Sequence, residues 1–423
     1  MKHSSFLILG AIIAISVFIS FKTIKHPQNL IWSDMEGYFV YLPSVFVYGD
    51  FGKEAVRDTN YIKPHPVSGK TYSKYTCGVA ILELPFFLTA HLYSTISGNN
   101  QDMHAIYGRG NAIAGLFYFS LGLLILYHFV RRYYNKREVI IALFAIVLGT
   151  NLFYYTFYAP GMSHVYSFFL FSAFLLLTYD IFLPTNDVRR STMFMWILYG
   201  LVFGMIVLVR PTNIIVGFIP IYIWWKKIVD PLPWIKANAW YLIIGALCFL
   251  LPFIPQVVYW KYVSGHYFLW SYGDESFKFW KEPKLFRVLF DAWNGWILYS
   301  PIVILPLYYL FKGRHTNQNF ERIYLYIFAI ATYIFASWWA WWFGGAFGHR
   351  SYVEYLAFLV LPLTSALQEA RQNRLKYSIL IMFIILCCYY SLGLTFLYSA
   401  PWDGENWTYK SVWDVVKKIF FVH

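Results

Sequence analysis

Apolar residues fall along this chain in runs of roughly 20, long enough to cross the hydrocarbon core of a bilayer as helices. Short polar connections rich in Lys and Arg separate them. The pattern predicts an all-α polytopic membrane protein with eleven transmembrane helices, near 5–21, 111–130, 139–157, 165–183, 193–209, 211–225, 240–260, 296–311, 322–340, 353–370 and 377–398. A further run at 78–97, GVAILELPFFLTAHLYSTIS, is long enough to cross but carries Glu83, Pro85 and His91.

Charge decides how that run is read. With the N-terminus inside and 78–97 not crossing, the short inner connections hold Arg131, Arg132, Lys136 and Arg137, then Arg189 and Arg190, then Lys226, Lys227 and Lys236. Lys312, Arg314, Arg322, Arg371, Arg374 and Lys376 follow on the same side, while the short outer connections hold only Arg210 and Arg350. If 78–97 crosses, this bias inverts and the positive-inside rule fails. The segment is therefore expected to lie in the outer leaflet as an interfacial helix. The C-terminus is then outside, and the long outer segments are 22–110, 261–295 and the tail 399–423. Trp402, Trp407 and Trp413 among Lys410, Lys417 and Lys418 make the tail a second candidate interfacial helix. No soluble domain, linker or repeat stands out, so residues 1–423 read as one membrane domain.

Composition agrees: 59% of the 423 residues are apolar and 13% charged, with mean hydropathy +0.49. The net charge of +13 raises nucleic-acid binding, but no basic stripe stands apart from the apolar runs, and none is expected. Cys248, Cys387 and Cys388 lie in apolar runs and Cys77 in a loop, with no spacing that suggests a disulfide framework or metal site. The first 21 residues have the charge and apolar core of a signal peptide without a small-x-small cleavage site, and read as a retained span.

The chemistry-bearing candidates lie at the outer ends of the spans. Asp34 and Glu36 follow the first span in WSDMEGYFVYLP, where a carboxylate can act as general base on a hydroxyl or amine brought to the membrane surface. The plainer alternative is a hydrophilic end to a helix. Arg210 and Arg350 are cations where the positive-inside rule disfavours them, and a guanidinium forks onto phosphate oxygens. The competing explanation is a long stem reaching out to water. His349 precedes Arg350 in a loop that Gly344, Gly345 and Gly348 allow to be tight. His164 sits in the turn YAPGMSHVY, as a substrate ligand or a structural histidine, and Lys74 and Tyr75 precede the 78–97 helix. The acids near Asp34 are also ligands that a divalent cation would take, although no ligand spacing demands one.

In layout the chain resembles the GT-C superfamily of polytopic glycosyltransferases that use polyprenyl-phosphate sugars, such as protein mannosyltransferases and the aminoarabinose transferases of lipid A. WSDMEGYFVYLP is similar to the acidic motif after the first span, and KYTCGVAILELPFF to the basic or aromatic loop before a proline-containing helix. GRGNAIAGLFYFSLGLLILYHFVRRYYNKR, LVRPTN and FGHRSYVEYLAFLVLPL look like later segments. Many members have adjacent Asp-Glu, whereas Met35 separates Asp34 from Glu36 here, which leaves open which carboxylate is the base; Asp34 is favoured.

The resemblance implies glycosyl transfer from a polyprenyl-phosphate sugar to a lipid, glycan or protein acceptor, with inversion, at the outer face of a bacterial inner (plasma) membrane. Arg350, Arg210 and Lys74 would then stabilise the departing phosphate. A transporter would place ionisable residues mid-span, and a polysaccharide polymerase or ligase would carry its large outer loop late in the chain. Both remain alternatives, and neither pattern is prominent here.

Overall fold

A computed structural model describes residues 30–51, 61–98, 103–183, 192–227, 230–313 and 322–421. The expected first span at 5–21 lies outside them, as do Arg189, Arg190 and Arg314.

In chain order, α1 (Asp34–Phe39) and α2 (Tyr41–Phe46) precede a small antiparallel hairpin of β1 (Ile62–Pro64) and β2 (Thr71–Ser73), in which Lys63 pairs with Tyr72. The helices α3 (Gly78–Ser97), α4 (Met103–Val130), α5 (Lys136–Leu148), α6 (Leu152–Phe157), α7 (Ser163–Phe182) and α8 (Met193–Val209) follow. Next come α9 (Phe218–Lys227), α10 (Pro231–Leu250), α11 (Phe253–Ser264), α12 (Leu285–Phe290), α13 (Trp296–Tyr299) and α14 (Ile304–Lys312). The last are α15 (Arg322–Ser337), α16 (Val360–Ala370), α17 (Arg374–Leu397) and α18 (Tyr409–Phe420).

Among the described residues the fold is all-α apart from that hairpin. Among the described residues, Gly78–Ser97, Ala105–Val130, Ser163–Phe182, Pro231–Ser264 and Arg374–Leu397 are helical stretches long and apolar enough to cross a membrane. Met193–Val209, Pro301–Lys312 and Arg322–Ser337 are shorter apolar helices. Several expected spans are interrupted. The run at 139–157 is split at Gly149–Asn151, where the Thr150 hydroxyl donates to the Ile146 carbonyl and accepts from the Leu152 amide, ending one helix and starting the next. The run at 353–370 begins as a 3-10 turn, Glu354–Leu359, before α16.

The chain forms two compact units. The first comprises Met1–Gly122, Tyr155–Ile214 and Asp230–Asp274; the second comprises Leu123–Tyr154, Ile215–Val229 and Glu275–His423.

In the first unit α8 packs closely on α10. A Cβ at Gly200 would lie 2.2 Å from the Gly245 carbonyl oxygen, and one at Gly204 would lie 2.3 Å from that of Phe249. Two small residues four apart let the backbones touch, as they do between helices in membranes, where dispersion rather than water exclusion drives packing. Some contacts of α3 fall on helix ends read as outer, while Tyr118, midway along α4, donates its hydroxyl to the Leu82 carbonyl. Gly78 abuts Val209, the last residue of α8, and Cys77 donates its amide to Gln256 at 2.7 Å. His91 bonds Tyr107 near the start of α4 at 2.8 Å.

In the second unit the polar connections after α4, α14 and α16 meet. Arg371 bonds the buried Glu138 at 3.0 Å, Lys312 bonds Glu369 at 2.8 Å, and the Asn135 amide donates to Gln368. These connections are ones read as sharing the inner side. The tail forms α18 behind a Thr408–Ser411 capping box, with Val412 and Ile419 buried and Tyr409, Trp413 and the adjoining Phe421 exposed.

Candidate active site

Six of the eight residues singled out by sequence lie in the first unit. Asp34 opens α1 and is 7% exposed, and Glu36 is half-buried beside it. Ser33 before them holds φ 55° and ψ −135°, a backbone region costly for a residue with a Cβ, and its hydroxyl bonds that of Tyr61 at 3.0 Å. One turn after Asp34, Tyr38 donates its hydroxyl to Ser163 Oγ at 3.1 Å. Residues four apart share a helix face, so the acid stands on the side of α1 that reaches the start of α7.

His164, next to Ser163, is 2% exposed and packs edge-to-face on Tyr155. Arg210 closes the C-terminus of α8, because Pro211 disfavours the α-conformation of the residue before it and supplies no amide to continue the helix. From that corner Arg210 Nη1 donates to His164 Nδ1 at 2.8 Å. A guanidinium only donates, so Nδ1 accepts and the imidazole proton belongs on Nε2. Two residues chosen from separate turns are thus one hydrogen-bonded pair.

Tyr75 stacks on Tyr38 with ring centroids 4.4 Å apart, and Tyr41 donates to the Tyr75 carbonyl at 2.6 Å. Gly37 is required there, since a Cβ would come within 2.8 Å of the Tyr75 ring. Lys74 Nζ lies 5.8 Å from the centre of the Tyr75 ring and 5.3 Å from that of Tyr272. Tyr75 therefore fixes α1, and Lys74 brings a cation to an aromatic corner. The Cys77 thiol is buried and pushed up to about 12 by that burial, which suits a structural residue rather than a nucleophile.

Arg350 and His349 belong to the second unit. His349 is fully buried, donates from Nε2 to the Trp341 carbonyl at 3.0 Å and lies among the rings of Phe335, Phe343 and Tyr352. Its setting is that of a pin holding the 341–350 loop. Gly344 and Gly348 take positive φ in that loop as the sequence led one to expect, whereas Gly345 is needed for space against Pro401. Arg350 is half-buried at the start of a 3-10 turn and within electrostatic reach of Tyr398.

Tyr38 and Ser163 were not singled out from the sequence; the available signal was the helical spacing of Tyr38 from Asp34. Among the described residues no three His, Cys, Asp or Glu side chains group in a way that could hold a metal ion.

No protein-family model matches the chain, and no curated protein is significantly similar to it. Among solved structures it is similar to the Archaeoglobus fulgidus oligosaccharyltransferase crystallised with Zn and sulfate, at 15% identity and a TM-score of 0.47. The match covers 90% of this chain and 52% of that one, so this chain spans about half its length.

Proposed function

We propose that this protein transfers a glycosyl group from a polyprenyl-phosphate donor to an acceptor hydroxyl or amine at the outer face of a membrane, with inversion at the anomeric carbon. The observation that carries the reading is the Arg210–His164 pair, with α1 and its buried Asp34 tied to the same turn through Tyr38 and Ser163. A cation paired with an imidazole N–H beside a helix bearing a carboxylate suits a reaction that separates an anionic phosphate from a sugar.

In that reaction Asp34 takes the proton of the acceptor O–H or N–H as its oxygen or nitrogen bonds the anomeric carbon. The bond from that carbon to the phosphate oxygen breaks, and its electron pair stays on the phosphate. Arg210 stabilises the growing charge through its forked donors, and His164 holds the guanidinium in place; Lys74, in the same unit, is a further candidate phosphate ligand. A positioned base is worth typically ~10²–10⁴-fold. The acidic motif and the aromatic hairpin of the outer segment support the same reading. The expected setting is a bacterial inner membrane with the site on its periplasmic face, and a lipid, glycan or protein as acceptor.

The test is binding and single-turnover transfer by the purified chain with a panel of polyprenyl-phosphate sugars, comparing native protein, Asp34→Asn and Arg210→Ala. Binding of one donor by native protein and Asp34→Asn, with loss in Arg210→Ala, supports the assignment. Failure of every donor to bind removes it.

A further inference from the structure

Glu83 has no place in the chemistry above, yet it is 1% exposed in the middle of an apolar helix. Asn111 Nδ2 donates to its Oε1 at 2.6 Å, and the Tyr166 hydroxyl donates to the same oxygen at 2.8 Å. Its other oxygen, Oε2, is buried without a hydrogen-bond partner, and so is Asn111 Oδ1. The remaining neighbour on α4, Tyr118, donates its hydroxyl to the carbonyl of Leu82. No basic side chain among the described residues bonds Glu83.

Both orphans are acceptors if the carboxyl is ionised, and buried acceptors without donors are costly. One proton on Oε2 removes both vacancies, because it makes Oε2 a donor and gives Oδ1 something to accept. A carboxylic acid and a primary amide each carry a donor beside an acceptor, so they can close a reciprocal pair: Nδ2–H to Oε1 and Oε2–H to Oδ1. A buried carboxylate without a cation is the unfavourable alternative.

The pair also braces the turn that carries His164. Asn111 packs so tightly on Gly161 that a Cβ there would lie 2.4 Å from Oδ1, and Tyr166 stands two residues after His164 in the first turn of α7. The carbonyl of Pro160 is pressed on Gly115 of the same α4. The turn from 160 to 166 is thus gripped at both ends by α4 and Glu83.

We propose that Glu83 is a neutral carboxylic acid in the folded protein, sharing its proton with Asn111, and that this acid–amide pair is a positioning element for the His164 turn. Only the word "positioning" rests on the function proposed above; the protonation does not. Glu83 is accordingly not the base of the reaction.

The experiment is infrared difference spectroscopy on the full-length purified chain at neutral pH, native against Glu83→Gln, with thermal unfolding of the same samples. The native protein should show the C=O stretch of a protonated carboxyl, clear of the amide bands, and Glu83→Gln should lack it. Glu83→Gln should unfold with the native chain, since its amide offers an N–H to Oδ1 and an oxygen to Nδ2, whereas Glu83→Ala should unfold earlier. Asn111→Ala should move the band to higher frequency as the acid loses its acceptor, which tests the pair even if Glu83→Gln does not fold. Absence of a Glu83-dependent band overturns the proposal, as does a Glu83→Gln variant as unstable as Glu83→Ala. With a donor in hand, Glu83→Gln should keep donor binding that Glu83→Ala loses; none of the other readouts needs a donor.

Discussion

Arg210 and His164 stand 46 residues apart in sequence and meet at 2.8 Å, guanidinium Nη1 to imidazole Nδ1. A hydrogen bond from a charged donor to a buried ring is worth about 1.5–3 kcal/mol, roughly a ten- to hundredfold effect on an equilibrium it controls. The two side chains should therefore act on the donor as a unit. Arg210→Ala and His164→Ala should each weaken donor binding by about that factor, and the double variant by little more than either alone. A double-mutant cycle on donor affinity reads the coupling. Strictly additive losses would mean that the two side chains serve the site separately.

Asp34 is the proposed base, and its buried place on α1 makes asparagine the closest replacement in shape. Asp34→Asn should lower the transfer rate by about 10²–10⁴-fold while leaving donor affinity near native. Glu36→Gln, at the half-buried neighbour, should cost much less. Single-turnover rates beside donor affinities separate the two effects. A larger loss in Glu36→Gln than in Asp34→Asn would transfer the role to Glu36.

The helical fold was legible because apolar run length is a strong signal, Arg210 as a cation where the positive-inside rule disfavours one, Asp34 as an acid following the first span, and His164 as a histidine in a turn. Their meeting was not, because a bond such as Arg210–His164 leaves no trace in local periodicity. The β1–β2 hairpin was missed for a different reason: each strand has three residues, too few for alternation to register, and its anchor is tertiary, the Tyr259 hydroxyl accepting from the Ser73 amide. Glu83 was visible as one of the residues that made 78–97 an unusual span. Its bonds to Asn111 and Tyr166 lie 28 and 83 residues away and needed the fold. Breaks such as the one at Thr150 were hidden because the flanking residues on both sides are equally apolar.

Helix contact in the first unit should be unforgiving at one glycine and tolerant at its neighbour. A methyl group at Gly200 would run into the Gly245 carbonyl, whereas one at Gly245 would meet the Trp196 ring at an ordinary 3.4 Å. Gly200→Ala should destabilise the protein by about 1–3 kcal/mol through overpacking, while Gly245→Ala should be close to neutral. Thermal unfolding in detergent compares them directly. Equal melting of the two variants would argue against close contact of α8 and α10.

Asp403, in the C-terminal tail, is raised above its ordinary carboxylate value by partial burial, against a hydrogen bond with Trp342 that pulls it down. A carboxyl raised in the folded state binds its proton more tightly there than in the unfolded chain. The unfolded chain then ionises first, so stability falls as pH rises from the ordinary carboxylate pKa through the raised folded value. Asp403→Asn should remove that loss. It should melt above the native protein at neutral pH, and the gain should vanish below the ordinary carboxylate pKa. A gain of the same size at every pH would assign the effect to packing rather than to charge.

Sidedness can be read with single cysteines, because Cys77, Cys248 and Cys387 are buried and contribute little background. Val67, 89% exposed in the turn of the hairpin, is expected outside, and the exposed Gln372 between α16 and α17 is expected inside. In intact cells a membrane-impermeant maleimide should label Val67→Cys, and Gln372→Cys only after permeabilisation. The hairpin precedes α3 in the chain and Gln372 follows it, so the pair also tests whether α3 crosses. Nine of the expected spans lie between them if α3 is interfacial, which puts the two positions on opposite sides; Val130, Phe157, Phe182 and Val209 mark the first inner and outer ends in turn. If α3 crossed as a further span, both cysteines would label alike, and the basic connections gathered by Arg371, Glu138, Lys312 and Glu369 would face the same side as the hairpin.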